Sequence, residues 1–404
     1  MITPYVTING RPEFERNKTG FGYMVFDIAK AVGVTESVDV LCTDSRGGGF
    51  DKEGVWYLQR SILCILANIW RIISPVTILS LFRKYRMSKG AGLRLVYYWI
   101  MTGFVNSVIK KGNYDVVHIH GCSFSNELWM KVCRKNEIKF VITLHGLDSF
   151  SDTVKLEVAG KQYERDFLKR VVEGENPITV ISTGMKRLIE KTYDAYNCKN
   201  ITVVCNSFSF AETTKKHLFD VRSLYKLSEE SKIIVCVGNI NVRKNQVQLI
   251  TSFDFLPKEL ASRTYILFLG NQNEDYTIDL LSADSPWASH FIACGLVPKE
   301  QVGIYYTQCD AVALMSLSEG FGLSLIEGMH FGKPSMSFTD VDAYDDIYTS
   351  IAMVGVEEHS DRAVADGMVR LLNTKWDSQQ IIEYSKKFES QTMANHYISV
   401  YKSI

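Results

Sequence analysis

Short apolar runs alternate along the chain with longer stretches in which apolar residues recur at a helical period. Pro4–Ile8, Val38–Cys42, Val116–Gly121, Phe140–Gly146, Ile178–Ile181 and Ile201–Cys205 read as buried strands of a first half. Lys232–Val237, Tyr265–Gly270, His290–Gly295, Ala311–Met315 and Ser335–Phe338 read as those of a second. Between them, Phe21–Val32 carries Val25, Ile28, Ala29 and Val32 on one face. Tyr97–Ile109, Gly184–Tyr193, a segment opening near Gln246, Leu323–Phe331 and Phe388–Tyr401 share that helical character. Strands alternating with helices predict an α/β chain of parallel sheets. A length of 404 residues allows two domains with a core each.

One stretch departs from this rhythm. From Trp56 to Lys111 there is no acidic residue, while Arg60, Arg71, Arg83, Lys84, Arg86, Lys89, Arg94, Lys110 and Lys111 are basic. Within it, Ser61–Ile73 has helical spacing, with Arg60, Asn68 and Arg71 on one face and Ile62, Ile65, Leu66, Ile69, Trp70 and Ile73 on the other. Two readings stand: a basic amphipathic helix for an anionic membrane surface, or core helices of the first domain. Tyr97–Ile109 is expected to be core, and Ser61–Met87 to face a membrane or an acceptor. Over the whole chain 45 basic and 45 acidic residues balance, so affinity for nucleic acid is not indicated. The nine cysteines stand singly without metal spacing, and Met1–Ile8 lacks the features of a signal peptide. Both point to a cytoplasmic protein.

The candidate chemistry lies in Asp310–Ser337. A strand there meets the turn Gly320-Phe321-Gly322 and then a helix from Leu323, stopped by Gly332-Lys333-Pro334. Amides at a helix start attract an anion, whereas Glu319 and Glu327 are acceptors for sugar hydroxyls. A ligand with both parts is a nucleotide sugar. Upstream, Gly238-Asn239 and then Arg243-Lys244-Asn245 lead into a helix, and two cations at a helix start suit a leaving diphosphate. Gly20 and Gly22 are expected in the turn before the first helix, either at the carboxyl edge of the sheet where Rossmann-type domains bind ligands or merely making the turn. His118 and His120 face the same way by strand alternation, with no third metal ligand near in sequence, and read as structural. Asp340-Val341-Asp342 reads as a solvated loop rather than a metal motif. G-x-G-x-x-G is missing after every candidate strand, which disfavours a nicotinamide oxidoreductase.

Ser318-Glu319-Gly320-Phe321-Gly322, Glu327-Gly328 and Gly332-Lys333-Pro334 together resemble the signature of retaining glycosyltransferases of the large family 4 type. The resemblance implies the GT-B fold, two Rossmann-like domains facing each other across a cleft. It implies an acceptor-binding domain over 1–206, with 207–231 as connection, a nucleotide-sugar domain over 207–385, and a helix over 386–404 crossing back to the first domain. By the same resemblance Glu327 holds ribose hydroxyls and Glu319 a hydroxyl of the transferred sugar. Arg243 and Lys244 stabilise the diphosphate, with Gly238 and Asn239 beside them; Asn239 stands where the family has arginine. Val297, in Gly295-Leu296-Val297-Pro298, lies in a loop whose backbone contacts the base, and His145 matches a histidine near the donor sugar. The expected reaction moves a hexose-type sugar, from UDP-sugar by preference, to a glycan or lipid-linked acceptor, without cofactor or metal. A bacterial surface polysaccharide is the expected product. A sugar-nucleotide epimerase of the same fold and a non-catalytic sugar-binding protein remain alternatives.

Overall fold

The structure, a computed structural model, describes residues 1–5, 20–42, 50–52, 55–58, 73–150, 157–208 and 219–404. The chain forms two compact units, Met1–Asn206 with Ser390–Ile404, and Ser207–Glu389. Each has its own sheet, whose central runs, such as Val116–His120 and Ala311–Leu314, are buried on both faces.

The first sheet contains β1 (Ile2–Tyr5), β2 (Asp39–Cys42), β3 (Phe50–Lys52), β4 (Val55–Leu58), β5 (Val116–His120), β6 (Lys139–Leu144), β7 (Ile178–Val180) and β8 (Ile201–Val203). Their order is β3-β4-β2-β1-β5-β6-β7-β8, with only the β3–β4 pair antiparallel. Helix α1 (Gly20–Val32) turns Val25, Ile28, Ala29 and Val32 into the core, as the period predicts. It opens at Gly20, so Gly20 and Gly22 lie in the first helical turn and not before it; the segment 6–19 lies outside the described residues.

Helices α2 (Pro75–Lys84) and α3 (Lys89–Gly112) start at Ser74 and Ser88, whose side chains accept the amides of Val76 and Ala91. In α3, Leu95, Thr102, Val105, Asn106 and Ile109 are buried, so Tyr97–Ile109 is core as expected. The expected amphipathic helix over Ser61–Ile73, with Arg60 and Arg71, lies outside the described residues apart from Ile73. Ile73 is buried, and its carbonyl accepts Trp99 Nε1 at 3.0 Å, which removes it from an exposed apolar face. Ile78, Tyr85 and Met87 are buried as well, but α2 leaves Val76, Leu79 and Phe82 exposed by 72, 48 and 37 %. Helices α4 (Phe124–Lys135) and α5 (Val158–Val172) cover the sheet further along.

The second sheet comprises β9 (Lys232–Val237), β10 (Thr264–Leu269), β11 (Phe291–Gly295), β12 (Ala311–Leu314), β13 (Ser335–Phe338) and β14 (Met353–Val356), all parallel in the order β11-β10-β9-β12-β13-β14. The chain reverses direction of winding between β9 and β12, the place where open α/β sheets take ligands at their carboxyl ends. Helices α6 (Gln246–Thr251), α7 (Lys299–Gln308) and α8 (Leu323–His330) follow β9, β11 and β12. Gly328 lets α8 lie against β12, since a Cβ there would stand 2.5 Å from Val312 Cγ2. The last helix, α9 (Ser390–Ser403), belongs to the first unit and packs on α1. It is preceded by a separate 3-10 turn at Lys386–Phe388, where a single helix from Phe388 was expected.

Candidate functional site

Two loops meet at the winding reversal of the second unit. After β9 the chain makes a 3-10 turn at Val242–Lys244, capped by Asn241, whose Oδ1 accepts the Lys244 amide at 3.0 Å. Asn245 then takes a left-handed conformation (φ 52°), which asparagine tolerates better than most residues, and α6 begins. After β12 the second loop runs to Gly322, itself left-handed at φ 82°, and α8 starts with no side chain capping it. The loops are tied together: the Leu317 amide donates to the Arg243 carbonyl at 2.8 Å, and Arg243 Nη1 donates to the Ser318 carbonyl at 2.9 Å.

This joinery brings Glu319, Lys244 and Arg243 into one cluster. Lys244 Nζ pairs directly with Glu319 Oε2, Arg243 Nη1 lies 3.8 Å from the same oxygen, and Ser316 Oγ donates to it at 3.3 Å. The Lys244 and Glu319 side chains are only 15 and 14 % exposed. Burial pushes the Glu319 carboxyl up, but Lys244 and then Arg243 outweigh it and hold the group below the ordinary carboxylate range. Asn239 is exposed, and its Oδ1 accepts the Asn271 amide at 3.3 Å; the cation beside Lys244 comes from Arg243. Gly238 (φ 144°) packs against the Lys244 side chain. Phe321 is buried and packs edge-on against Phe388, so only its backbone can meet a ligand. Gly320 and Leu323 flank it, half-buried.

Glu327 stands apart from that cluster, on α8, where the buried Tyr306 of α7 donates its hydroxyl to Oε2 at 2.9 Å. Val297 lies half-buried past β11, two strands away from β9. The loop after β13 corrects one expectation. Asp340 is exposed and pairs with His359 at 2.9 Å, but Asp342 is half-buried; burial, with the charge of Glu319 second, raises its carboxyl to about 6. Tyr306 and Ser316 carry no signal in the sequence beyond their residue type, and Asp342 only its Asp-x-Asp spacing, because their roles come from tertiary neighbours.

In the first unit His145 follows β6. The structure brings it to His118 and His120, where sequence spacing showed no third ring: His120 Nδ1 and His145 Nε2 are 3.0 Å apart. His118 and His120 do face the same way, their ring centroids 4.0 Å apart. Both nitrogens of His118 are engaged, Nε2 with Thr143 Oγ1 at 2.7 Å and Nδ1 with Tyr401 Oη at 2.8 Å, so the trio is a hydrogen-bonded ladder and not a ligand set. Burial keeps all three rings neutral, lowering His118 to about 3, His145 to about 4 and His120 well below the usual value. The loop beyond His145 is pinned by Glu164 of α5, whose Oε1 accepts the Ser149 amide and hydroxyl at 3.0 and 2.6 Å.

Family models match both units: Glycosyltransferase Family 4 over residues 38–210 and Glycosyl transferases group 1 over residues 221–388. N-acetyl-alpha-D-glucosaminyl L-malate synthase of Bacillus anthracis is 23 % identical over 308 residues, covering 74 % of this chain and 77 % of its own. Among solved structures, sucrose-phosphate synthase from Thermosynechococcus elongatus superposes with a TM-score of 0.71 at 15 % identity, over 100 % of this chain and 98 % of its own. HepE of Anabaena, in complex with UDP and glucose, gives 0.64 at 13 % identity over the whole of both chains. At such identities the superpositions speak for the fold, and the matched models speak for the family: the chain belongs to the GT4-like glycosyltransferases of GT-B fold.

Proposed function

We propose that the chain moves a hexose-type sugar from a nucleotide diphosphate donor, UDP-sugar by preference, to a glycan or lipid-linked acceptor with retention of configuration, in the synthesis of a bacterial surface polysaccharide. The observation that carries this reading is the Glu319–Lys244–Arg243 cluster beside the uncapped start of α8. Two cations tied to one carboxylate leave a net positive site, which a diphosphate neutralises. Glu319 then accepts a hydroxyl of the transferred sugar, the first amides of α8 meet a phosphate oxygen, and Glu327, steadied by Tyr306, holds the ribose. The backbone at Val297 serves the base, and Gly20 and Gly22 at the start of α1 serve the acceptor or a phosphate. The attacking hydroxyl enters on the face from which the diphosphate leaves, and the leaving phosphate oxygen takes its proton. HepE, of the same fold, is solved with UDP and glucose, which favours UDP-sugars as the donors to try first.

Thermal melts with UDP-, GDP- and ADP-sugars test the donor, since a ligand bound only by the folded state raises the melting temperature. NMR of the product gives the anomeric outcome. Consumption of UDP-sugar without any acceptor, yielding an epimer, would replace transfer by epimerisation. Because Arg243 and Lys244 supply the positive charge, transfer is expected to persist in EDTA. Complete loss, restored by manganese, would mean that the diphosphate contacts lie elsewhere.

We further propose reversible docking on the anionic inner face of the plasma membrane. Val76, Leu79 and Phe82 of α2 and Leu93 and Val96 of α3 are exposed apolar side chains, and Arg83, Arg86 and Lys89 are exposed beside them. Lys84 and Arg94 are partly offset by Asp166 at 3.0 Å and Glu157 at 3.5 Å. Each basic residue near an anionic surface adds about 1 kcal/mol, screened by salt. No helix of the described residues is long and apolar enough to cross a membrane. Co-sedimentation with anionic but not neutral liposomes, weakening as salt rises, is expected. Protein left in the supernatant throughout would point to a soluble acceptor.

A further inference from the structure

His145 sits on a loop, one residue past the end of β6, where a ring is free to turn unless something holds it. What holds it is rigid. His120 lies in β5, paired with Thr143 across the sheet, and is buried. Its ring stacks on His118, and His118 is clamped at one nitrogen by Thr143 of β6 and at the other by Tyr401 of α9. A second hydroxyl of α9, that of Tyr397, lies 3.4 Å from Thr143 Oγ1. The carboxy-terminal helix is therefore wired, ring by ring, to the strand ends that carry His145.

We propose that His120 is a positioning residue for His145, fixing its ring plane and its tautomer, and that Tyr401 supports it through His118. The proposal rests on the reading that His145 touches a substrate hydroxyl. A neutral imidazole has one N–H, so the Nδ1···Nε2 pair at 3.0 Å must be one donor and one acceptor. The pair couples the two tautomers: a proton on Nδ1 of His120 requires one on Nδ1 of His145, and a proton on Nε2 of His145 requires one on Nε2 of His120. His120 thereby decides which nitrogen of His145 carries its proton. Which nitrogen bears that proton decides whether the ring meets a hydroxyl as donor or as acceptor. Burial keeps the rings uncharged at neutral pH, so protonation does not break the pair there.

The test uses the full chain, with long-range proton–nitrogen NMR on ¹⁵N-histidine and steady-state transfer. Wild type is expected to show His145 in a single tautomer; two tautomers in exchange would overturn the proposal without any mutation. His120→Phe keeps the ring and removes the hydrogen bond. It should lower kcat about tenfold, leave donor KM within about twofold, and mix the His145 tautomers. His120→Asn, whose amide can donate or accept near the place of Nδ1, should recover most of the rate and the single tautomer. Tyr401→Phe should cost about threefold. Full activity in His120→Phe beside a crippled His145→Ala removes the positioning role and leaves His145 in place. Full activity in His145→Ala removes the reading beneath it. Should His120→Phe not fold, the NMR of wild type and of His120→Asn still decides.

Discussion

The two units share a parallel sheet and a helix-covered core, yet the carboxyl ends of their strands carry opposite chemistry. In the first, three imidazoles, two threonines and two tyrosines form a hydrogen-bonded set with no net charge, each ring kept neutral by burial. In the second, two cations share one buried carboxylate, and a raised carboxyl stands beside them. The fold dictates neither, because a parallel strand fixes the backbone but leaves open which residue types stand near its carboxyl end. A neutral, donor-and-acceptor surface suits hydroxyl-rich sugars; a net positive one suits a diphosphate. Under the proposed function, charge is recognised in the second unit alone, whose Glu319 and Glu327 also take hydroxyls, while the first unit offers uncharged contacts only; the comparison can be broken experimentally.

The largest effect is expected at Lys244. Lys244→Ala should lower turnover by about two orders of magnitude or more, as for other lost charge stabilisers. It also strands Glu319, buried, with Arg243 at 3.8 Å as its remaining cation, so the melting temperature should fall. Adding Glu319→Gln to Lys244→Ala should restore the melt, since the uncompensated charge is gone, but not the rate. Turnover within a few-fold of wild type in Lys244→Ala would end the division of labour drawn above.

A middle effect is expected at Tyr306. Tyr306→Phe removes the hydroxyl that steadies Glu327 while keeping the ring stacked on Phe331. Donor KM should rise about tenfold, the worth of one buried hydrogen bond to a charged group, with kcat little changed. Glu327→Gln should raise KM at least as far. A loss confined to kcat would move Glu327 from holding the ribose to acting on the reacting sugar.

What could be read from the sequence follows from where the information lies. Buried strands announce themselves as apolar runs, and β9, β12 and β13 occur where those runs fall. Gly322 is visible as a turn residue because its left-handed backbone restricts residue choice, whereas the left-handed Asn245 shows in the sequence only as the start of a helix. Same-strand alternation placed His118 and His120 together. The partners Tyr401 and Tyr306 are not visible: Tyr401 is 283 residues from His118, and nothing local marks a helix tyrosine whose hydroxyl meets a distant side chain. Asp342 was misread for the same reason, since an Asp-x-Asp in a loop looks solvated until a neighbour's charge is known. Ile73 was misplaced because an apolar face is equally compatible with a core and with a membrane.

The smallest effect concerns pH, and here the two units should pull in opposite directions. His118 and His145 have folded-state values of about 3 and 4, below the ordinary histidine range near 6.5, so their contribution is present above that range and is lost as pH falls. Asp342, at about 6 when folded against 3.8 ordinarily, behaves oppositely. Its neutral form is favoured by folding, so its contribution is full below 3.8 and is lost as pH rises through 6. Asp342→Asn keeps a neutral group there at every pH. Relative to wild type its melting temperature should match near pH 3, below both values, and stand progressively higher at pH 5 and pH 7. Donor KM of wild type should rise about threefold between pH 5 and 7, as a second negative charge appears beside Glu319, and the variant should show no such rise. A melting-temperature gap that stays constant or closes between pH 5 and 7 would mean that Asp342 is ionised throughout, and that the second unit's strand ends carry one more fixed charge than the comparison allows.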